Sequence, residues 1–243
     1  MLDRMGAWAE GQVLGLDFET TGVDRFSDVP VSYALVSVVD GVAVRSWSGL
    51  IDPGRAIPAD ATAVHGITTE QARTEGMPMA DAVALVTDAV VAASRRGVPL
   101  VGMKLDYDLT ILDVLGTRFW GHGLMPRGWR GPVLDAGVLD RHFDSERRGR
   151  RTLGDLCAHY GVELEDAHDA WADTVASLRV VFALAERFAA LRDADVAWLH
   201  EAQIEWHRQW TQDCEVWRRS QGKVPTDPRD YVWPVAPAVL PAA

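Results

Sequence analysis

Val13-Leu14-Gly15-Leu16-Asp17-Phe18-Glu19-Thr20-Thr21-Gly22 decides how this chain is read. A short apolar run closed by Thr20-Thr21-Gly22 is the pattern of a buried strand and its turn. Side chains alternate along a strand, so Asp17 and Glu19 share one side. Leu16 and Phe18 share the other, which assigns Phe18 to the core. Two carboxylates side by side at a strand end repel unless a cation lies between them. A solvated strand end that happens to be acidic reads the same way, so the pair needs further residues to carry chemistry.

Outward from this strand, Val31 to Val39 is rich in β-branched residues and turns at Asp40-Gly41 into a third strand, Val42 to Leu50. Asp52-Pro53-Gly54 breaks the pattern, and Pro58 suits the first turn of a short helix toward His65. Met79 to Ala93 predicts a helix with Val83, Val86 and Val90 on one face. Pro99 to Met103 reads as a fourth strand, followed by a helix from about Tyr107 to Leu115. Gly116 to Pro132 reads as a glycine-heavy loop, and Val133-Leu134-Asp135 as a short fifth strand. Thr152 with Asp155 forms a helix cap, Gly161 closes that helix, and a long helix runs from near Asp169 to Leu191. Three strands followed by alternating helices and strands predict an α/β fold with a mixed five-stranded sheet flanked by helices.

Composition bounds the rest. A chain of 243 residues has room for one sizeable core, here assigned to residues 1–192. Residues 193–243 form an appendage. Its helical part, 194–221, carries Trp198, Trp206, Trp210 and Trp217, and Gly222 is the expected stop. That helix either packs on the main domain or offers a face to a partner or a second copy. Pro225, Pro228, Pro234, Pro237 and Pro241 predict an extended tail. No apolar run reaches membrane-spanning length, Met1 to Met5 lacks a signal-peptide pattern, and Cys157 and Cys214 stand alone. The expectation is a cytoplasmic protein without a membrane partner. A net charge of −11 argues at first against nucleic acid, but acids gathered around cations reverse the local sign. Arg147, Arg148, Arg150 and Arg151 share one short loop, which either tracks phosphates or is a solvated connector.

Two more clusters join the acid pair. Asp108 follows the fourth strand in a first helical turn, where the helix dipole also favours a carboxylate, and Asp106 reads equally as an N-cap. His168-Asp169-Ala170-Trp171-Ala172-Asp173 opens the long helix. Each cluster alone has an ordinary structural reading. An acid pair, a distant acid, then a histidine with an acid five positions on resembles the DEDDh 3′→5′ exonucleases. The likeness extends to the proofreading epsilon subunit of bacterial DNA polymerase III and its stand-alone relatives. Asp17-Phe18-Glu19-Thr20-Thr21-Gly22 matches the first motif, Tyr107-Asp108 the second, and His168-x-Ala170-x-x-Asp173 the third. Val64-His65-Gly66-Ile67-Thr68 matches the loop after the third strand. The resemblance covers roughly residues 11 to 190. It departs at Met103-Lys104, where the family has His-Asn. Lys104 offers a point charge for a phosphate instead.

The resemblance implies a ribonuclease H-like fold in which Asp17, Glu19, Asp108 and Asp173 hold two Mg²⁺ or Mn²⁺ ions, hard cations suited to oxygen ligands. It makes His168 the general base, since an imidazole as a class titrates near neutrality. Thr20, Thr21, His65 and Tyr107 would line the terminal nucleotide, and Lys104 would contact the strand. The implied reaction removes nucleoside 5′-monophosphates from the 3′ end of DNA, in proofreading or repair, and a DNA polymerase is one partner open to the helix of 194–221. An RNA-trimming enzyme on the same scaffold is the alternative, because no motif here reads a 2′-hydroxyl. A third reading is an inactive nuclease fold kept for binding. All four acids stand against it, and its one opening is the Lys104 ammonium sitting where a metal belongs.

Overall fold

Backbone pairing puts the first strand in mid-sheet. In the computed structural model, which describes residues 8–164 and 167–238, β1 (Gln12–Thr20) pairs antiparallel with β2 (Pro30–Val39) and parallel with β5 (Leu100–Gly102). β2 turns into β3 (Val42–Asp52) through Asp40 and Gly41, both at positive φ as a two-residue hairpin requires. β6 (Val133–Asp135) continues the sheet beyond β5, and β4 (Met77–Pro78) lies outside β3. The sheet is therefore six-stranded and mixed, in the order β4-β3-β2-β1-β5-β6. The sequence predicts five strands. The sixth has two residues, too short to display a period of two.

Alternation along β1 divides the core. Leu14, Leu16 and Phe18 pack with α3 (Met79–Arg95) and α4 (Leu105–Trp120) through Val83, Val86, Val90, Leu109 and Leu112. Val13 belongs to the other half, with α5 (Ala136–Phe143) and α7 (Ala170–Arg187) supplying Leu139, Val180 and Leu184. Gly15 faces α7. A Cβ there would lie 2.5 Å from Thr174 Cγ2 and 2.8 Å from Leu178 Cδ1, so the helix approaches this closely only over a glycine.

Between these elements lie α1 (Ala59–His65), α2 (Thr69–Glu75) and α6 (Leu153–Tyr160). The last has the expected capping box of Thr152 with Asp155 and closes at Gly161. Two boundaries differ from the sequence reading. α4 continues through Gly116 to Trp120, because Gly116 is buried where the chain returns at His122 and Gly121, at φ 76°, makes the real stop. The long helix breaks at Phe188, whose extended backbone turns its ring toward Phe143, before a single turn α8 (Ala189–Arg192).

α9 (Val196–Ser220) lies against β6 and α5. The amide of Gln203 donates to Val133 O (2.7 Å) and accepts from Asp135 N–H (2.8 Å), so one side chain pairs with the outer strand as a neighbouring strand would. Trp206 stacks on His142 at 3.6 Å, whereas Trp210 and Trp217 remain exposed. The tail expected to be extended folds back. It makes a 3₁₀ turn at Pro228–Tyr231, buries Trp233 and Ala236, and donates Ala236 N–H to Thr110 Oγ1 at 2.9 Å. Prolines bar a strand ladder but not packing. In the arginine loop, Arg147 and Arg151 both pair with the buried Asp140, which also accepts from Tyr160, while Arg148 and Arg150 stay exposed. Half of that loop's charge is thus structural. Among the described residues no helix is long and apolar enough to cross a membrane.

Candidate active site

Asp17 and Glu19 continue the side of β1 that Val13 and Gly15 present to α7. The close approach at Gly15 therefore sets the height of the first turn of α7 above them. Asp169 caps that helix through Trp171 N–H and Ala172 N–H, and Asp173 follows in the first turn. His168 just ahead adopts φ 72°, a left-handed backbone that non-glycine residues rarely take, and its N–H points at Asp173 Oδ1 (3.4 Å). Ligand atoms of Glu19, His168 and Asp173 all lie within 4.8 Å of one another.

Asp108 arrives from α4. The pairing of β1 with β5 reaches only Gly15, so further along that edge the Phe18 N–H has no strand to meet. Asp108 Oδ1 accepts it at 3.0 Å, with the side chain almost fully buried. The peptide between Asp17 and Glu19 thereby anchors the third acid.

Asp17 links the two sets, because Asp108 on one side and Glu19 and Asp173 on the other all act on its carboxyl. Burial first, then repulsion from Asp108, Glu19, Asp173 and Asp169, holds the Asp17 carboxyl well above the usual carboxylate range. Burial, then Asp173 and Asp169, pushes Glu19 up to about 8. Burial also holds Asp108 well above its ordinary value, partly opposed by its own backbone N–H and that of Phe18. Asp173 is raised by burial and eased by His168. Four acids whose carboxyls are all held above their ordinary range, offering only oxygen atoms, are a donor set suited to hard divalent cations.

Beside the carboxylates a cavity of about 250 Å³ is lined by Glu19, Tyr33, His65, Ile67, His168 and Trp171, among others. His65 Nδ1 accepts the Ile67 N–H, and its buried Nε2 has no partner among the described residues. Burial pushes this imidazole below its usual value, against a neighbouring Thr20 backbone group. The other expected nucleotide contacts are committed within the fold. Thr20 Oγ1 and Tyr107 Oη both donate to Gly22 O, and burial raises the phenol to about 12. Thr21, almost fully buried, bonds Asp28 and Val29. These three shape the turn around the cavity. Lys104 stands apart: it lines a different cavity and makes no ion pair among the described residues, so its ammonium does not replace a metal. Trp171, Tyr33 and Ile67 were not singled out in the sequence. Trp171 lies inside the third motif, and its 46% exposure on an otherwise apolar helix face is visible only in three dimensions.

A DNA polymerase III subunit epsilon-like protein of Rhodobacter capsulatus is 32% identical over 186 residues, covering 70% of this chain and 24% of that protein. An uncharacterised exonuclease of Escherichia phage 186 is 27% identical over 197 residues, 77% of this chain and 95% of that protein. The crystal structure of E. coli exonuclease I with a dT13 oligonucleotide superposes with a TM-score of 0.63 at 20% identity, covering 75% of this chain and 43% of that one. At that identity the likeness speaks for the fold, and this chain spans 24% of the epsilon-like protein and 43% of exonuclease I. The exonuclease family model RNase_T matches residues 14–181, from β1 into α7 and so across all four acids and His168, and the chain belongs to that exonuclease family.

Proposed function

We propose that this chain is a two-metal-ion 3′→5′ exonuclease acting on single-stranded or frayed DNA ends and releasing nucleoside 5′-monophosphates. The observation that supports this reading is the cluster of Glu19, Asp173 and His168, with Asp17 acted on by both of those acids and by Asp108, which Phe18 N–H holds beside the strand. Residues of the four acids would hold two Mg²⁺ or Mn²⁺ ions. When bound, such ions offset the carboxylate charge and stabilise the oxygens of an in-line displacement.

The chain's own groups do the rest. His168 accepts the proton of the water that attacks the scissile phosphorus. The bond to the 3′ oxygen of the preceding nucleotide breaks, leaving a shortened strand with a 3′-hydroxyl. The terminal nucleoside occupies the cavity between His65 and Trp171. With Nδ1 accepting from Ile67 N–H, Nε2 of His65 is the ring's donor, with a Thr20 backbone group near the imidazole to compete for it. Thr20, Thr21 and Tyr107 keep the turn at Gly22 in shape around the nucleoside. DNA is favoured because exonuclease I, which shares the fold, binds a dT13 oligonucleotide, and because an epsilon-like protein is among the relatives.

Matched 5′-labelled single-stranded DNA and RNA, assayed with Mn²⁺ and with chelator, test this. A ladder shortening from the 3′ end on DNA, abolished by chelator, is expected. Preferential attack on RNA would overturn the substrate assignment, and no hydrolysis of either would leave a binding module.

A further inference from the structure

On the far side of the α4 N-terminus, α5 and α9 enclose a second cavity of about 320 Å³, a volume in the range of small-ligand pockets. Its walls carry charge of both signs, but the two signs are not equally satisfied. Asp106 and Asp230 both pair with Arg25. Asp135 accepts the N–H groups of Leu105, Gly137 and Val138. Lys104 and Arg141, in the same wall, make neither ion pair nor side-chain hydrogen bond among the described residues. Arg141 instead lies 3.9 Å over the ring of Trp210, and burial pushes its guanidinium below its ordinary value. Asp135 and Asp140 act on Arg141 only through space, and a half-buried guanidinium with no carboxylate in ion-pair contact among the described residues is costly. The cavity is therefore arranged for an anion that the chain does not itself supply.

Its position says which anion. Lys104 is the N-cap of α4 and Asp108 lies in that helix's first turn, so the cavity adjoins the carboxylates. Trp210 keeps 40% of its surface exposed beside Arg141. An indole next to unpaired cations is the wall that holds single strands, where bases stack and phosphates meet positive charge.

We propose that this cavity takes a nucleotide one or two steps upstream of the scissile bond in a single-stranded substrate, Arg141 and Lys104 meeting its phosphate and Trp210 stacking its base. The proposal rests on the exonuclease reading above. It adds that α9, which lies outside the residues matched by the family model, selects unpaired strands.

The test compares two substrates in the full chain. The p-nitrophenyl ester of thymidine 5′-monophosphate reaches only the catalytic groups, whereas a dT12 oligonucleotide spans both cavities. Arg141→Gln and Trp210→Leu are each expected to raise KM for dT12 about tenfold or more, with ester hydrolysis within twofold of wild type. Arg141→Lys, which keeps the charge, should recover most of the oligonucleotide affinity. In Ca²⁺ buffer, anisotropy of 5′-fluorescein-dT12 should show the same loss, and Arg141→Gln should lower the salt slope by about one. Unchanged dT12 binding in both variants would overturn the proposal and leave the cavity to a protein partner. An equal fall on ester and oligonucleotide would overturn it too, because the two residues would then serve the fold. Wild type that binds dT12 yet hydrolyses neither substrate would instead refute the exonuclease reading, since the binding arm does not depend on turnover.

Discussion

Glu19 gives the site a signature that can be measured without turnover. Its folded value of about 8 lies above the ordinary 4.5, so between those limits the folded chain holds a proton that the unfolded chain releases. The stability tied to that proton is complete below about pH 4.5 and is lost as pH rises through 8. Raised values at Asp17, Asp108 and Asp173 act in the same direction. The melting temperature of chelated protein should therefore fall from pH 5 to pH 8, and Mn²⁺ should restore more of it at pH 8. A metal-free profile that is flat or rises over this range would contradict the shared acidic environment. Replacement of His168 by Ala should lower kcat by about 10²–10⁴-fold with Mn²⁺ binding by calorimetry nearly unchanged; near-normal kcat would remove His168 as the base. These residues were legible because each motif fixes its acid in sequence. The commitments of Thr21 and Tyr107 were not, since Asp28 and the Gly22 carbonyl that bind them become neighbours only once the turn closes.

Elements reach the site through close contacts more than through their own ends. Gly15 lets α7 lie against β1, and α7 carries Asp173 in its first turn with His168, at a left-handed backbone, just ahead of it. Thr174 cannot yield easily, being fully buried with its hydroxyl on Ala170 O. Gly15→Val should thus displace the helix, at a cost of about 1–3 kcal/mol in stability and more than tenfold in kcat. Full activity in a Gly15→Val enzyme would show that the helix height is not what places Asp173. All the strands but β4, together with α3, α6 and the start of α7, could be read from alternation, helical spacing and capping residues. The breaks could not. Gly116 looks like a stop and is a packing contact, whereas Phe188 looks like a continuing apolar position and is the turn.

At the scale of the molecule, the end of the chain supports its beginning. Gln203 holds β6, Asp135 at the end of β6 accepts the Leu105 N–H that starts α4, and α4 delivers Asp108 to Phe18. Gln203→Leu removes one donor and one acceptor from buried backbone and should cost about 1–3 kcal/mol for each group left unpaired, read as a lower denaturation midpoint with reduced kcat. A midpoint equal to wild type would show that water replaces the amide. The tail that prolines marked as extended could not be recognised as docked, because Ala236 finds Thr110 far back along the chain and Trp233 packs on His200 and His207 of α9. The amide of Gln203 also has a protective effect. It is the stopper on an otherwise open margin of sheet, and a fragment ending at Arg192 would expose the peptide groups of Val133 and Asp135 as a template for another molecule. Such a fragment should come out of solution as oligomers rather than as a smaller enzyme, with light scattering that rises as its concentration does.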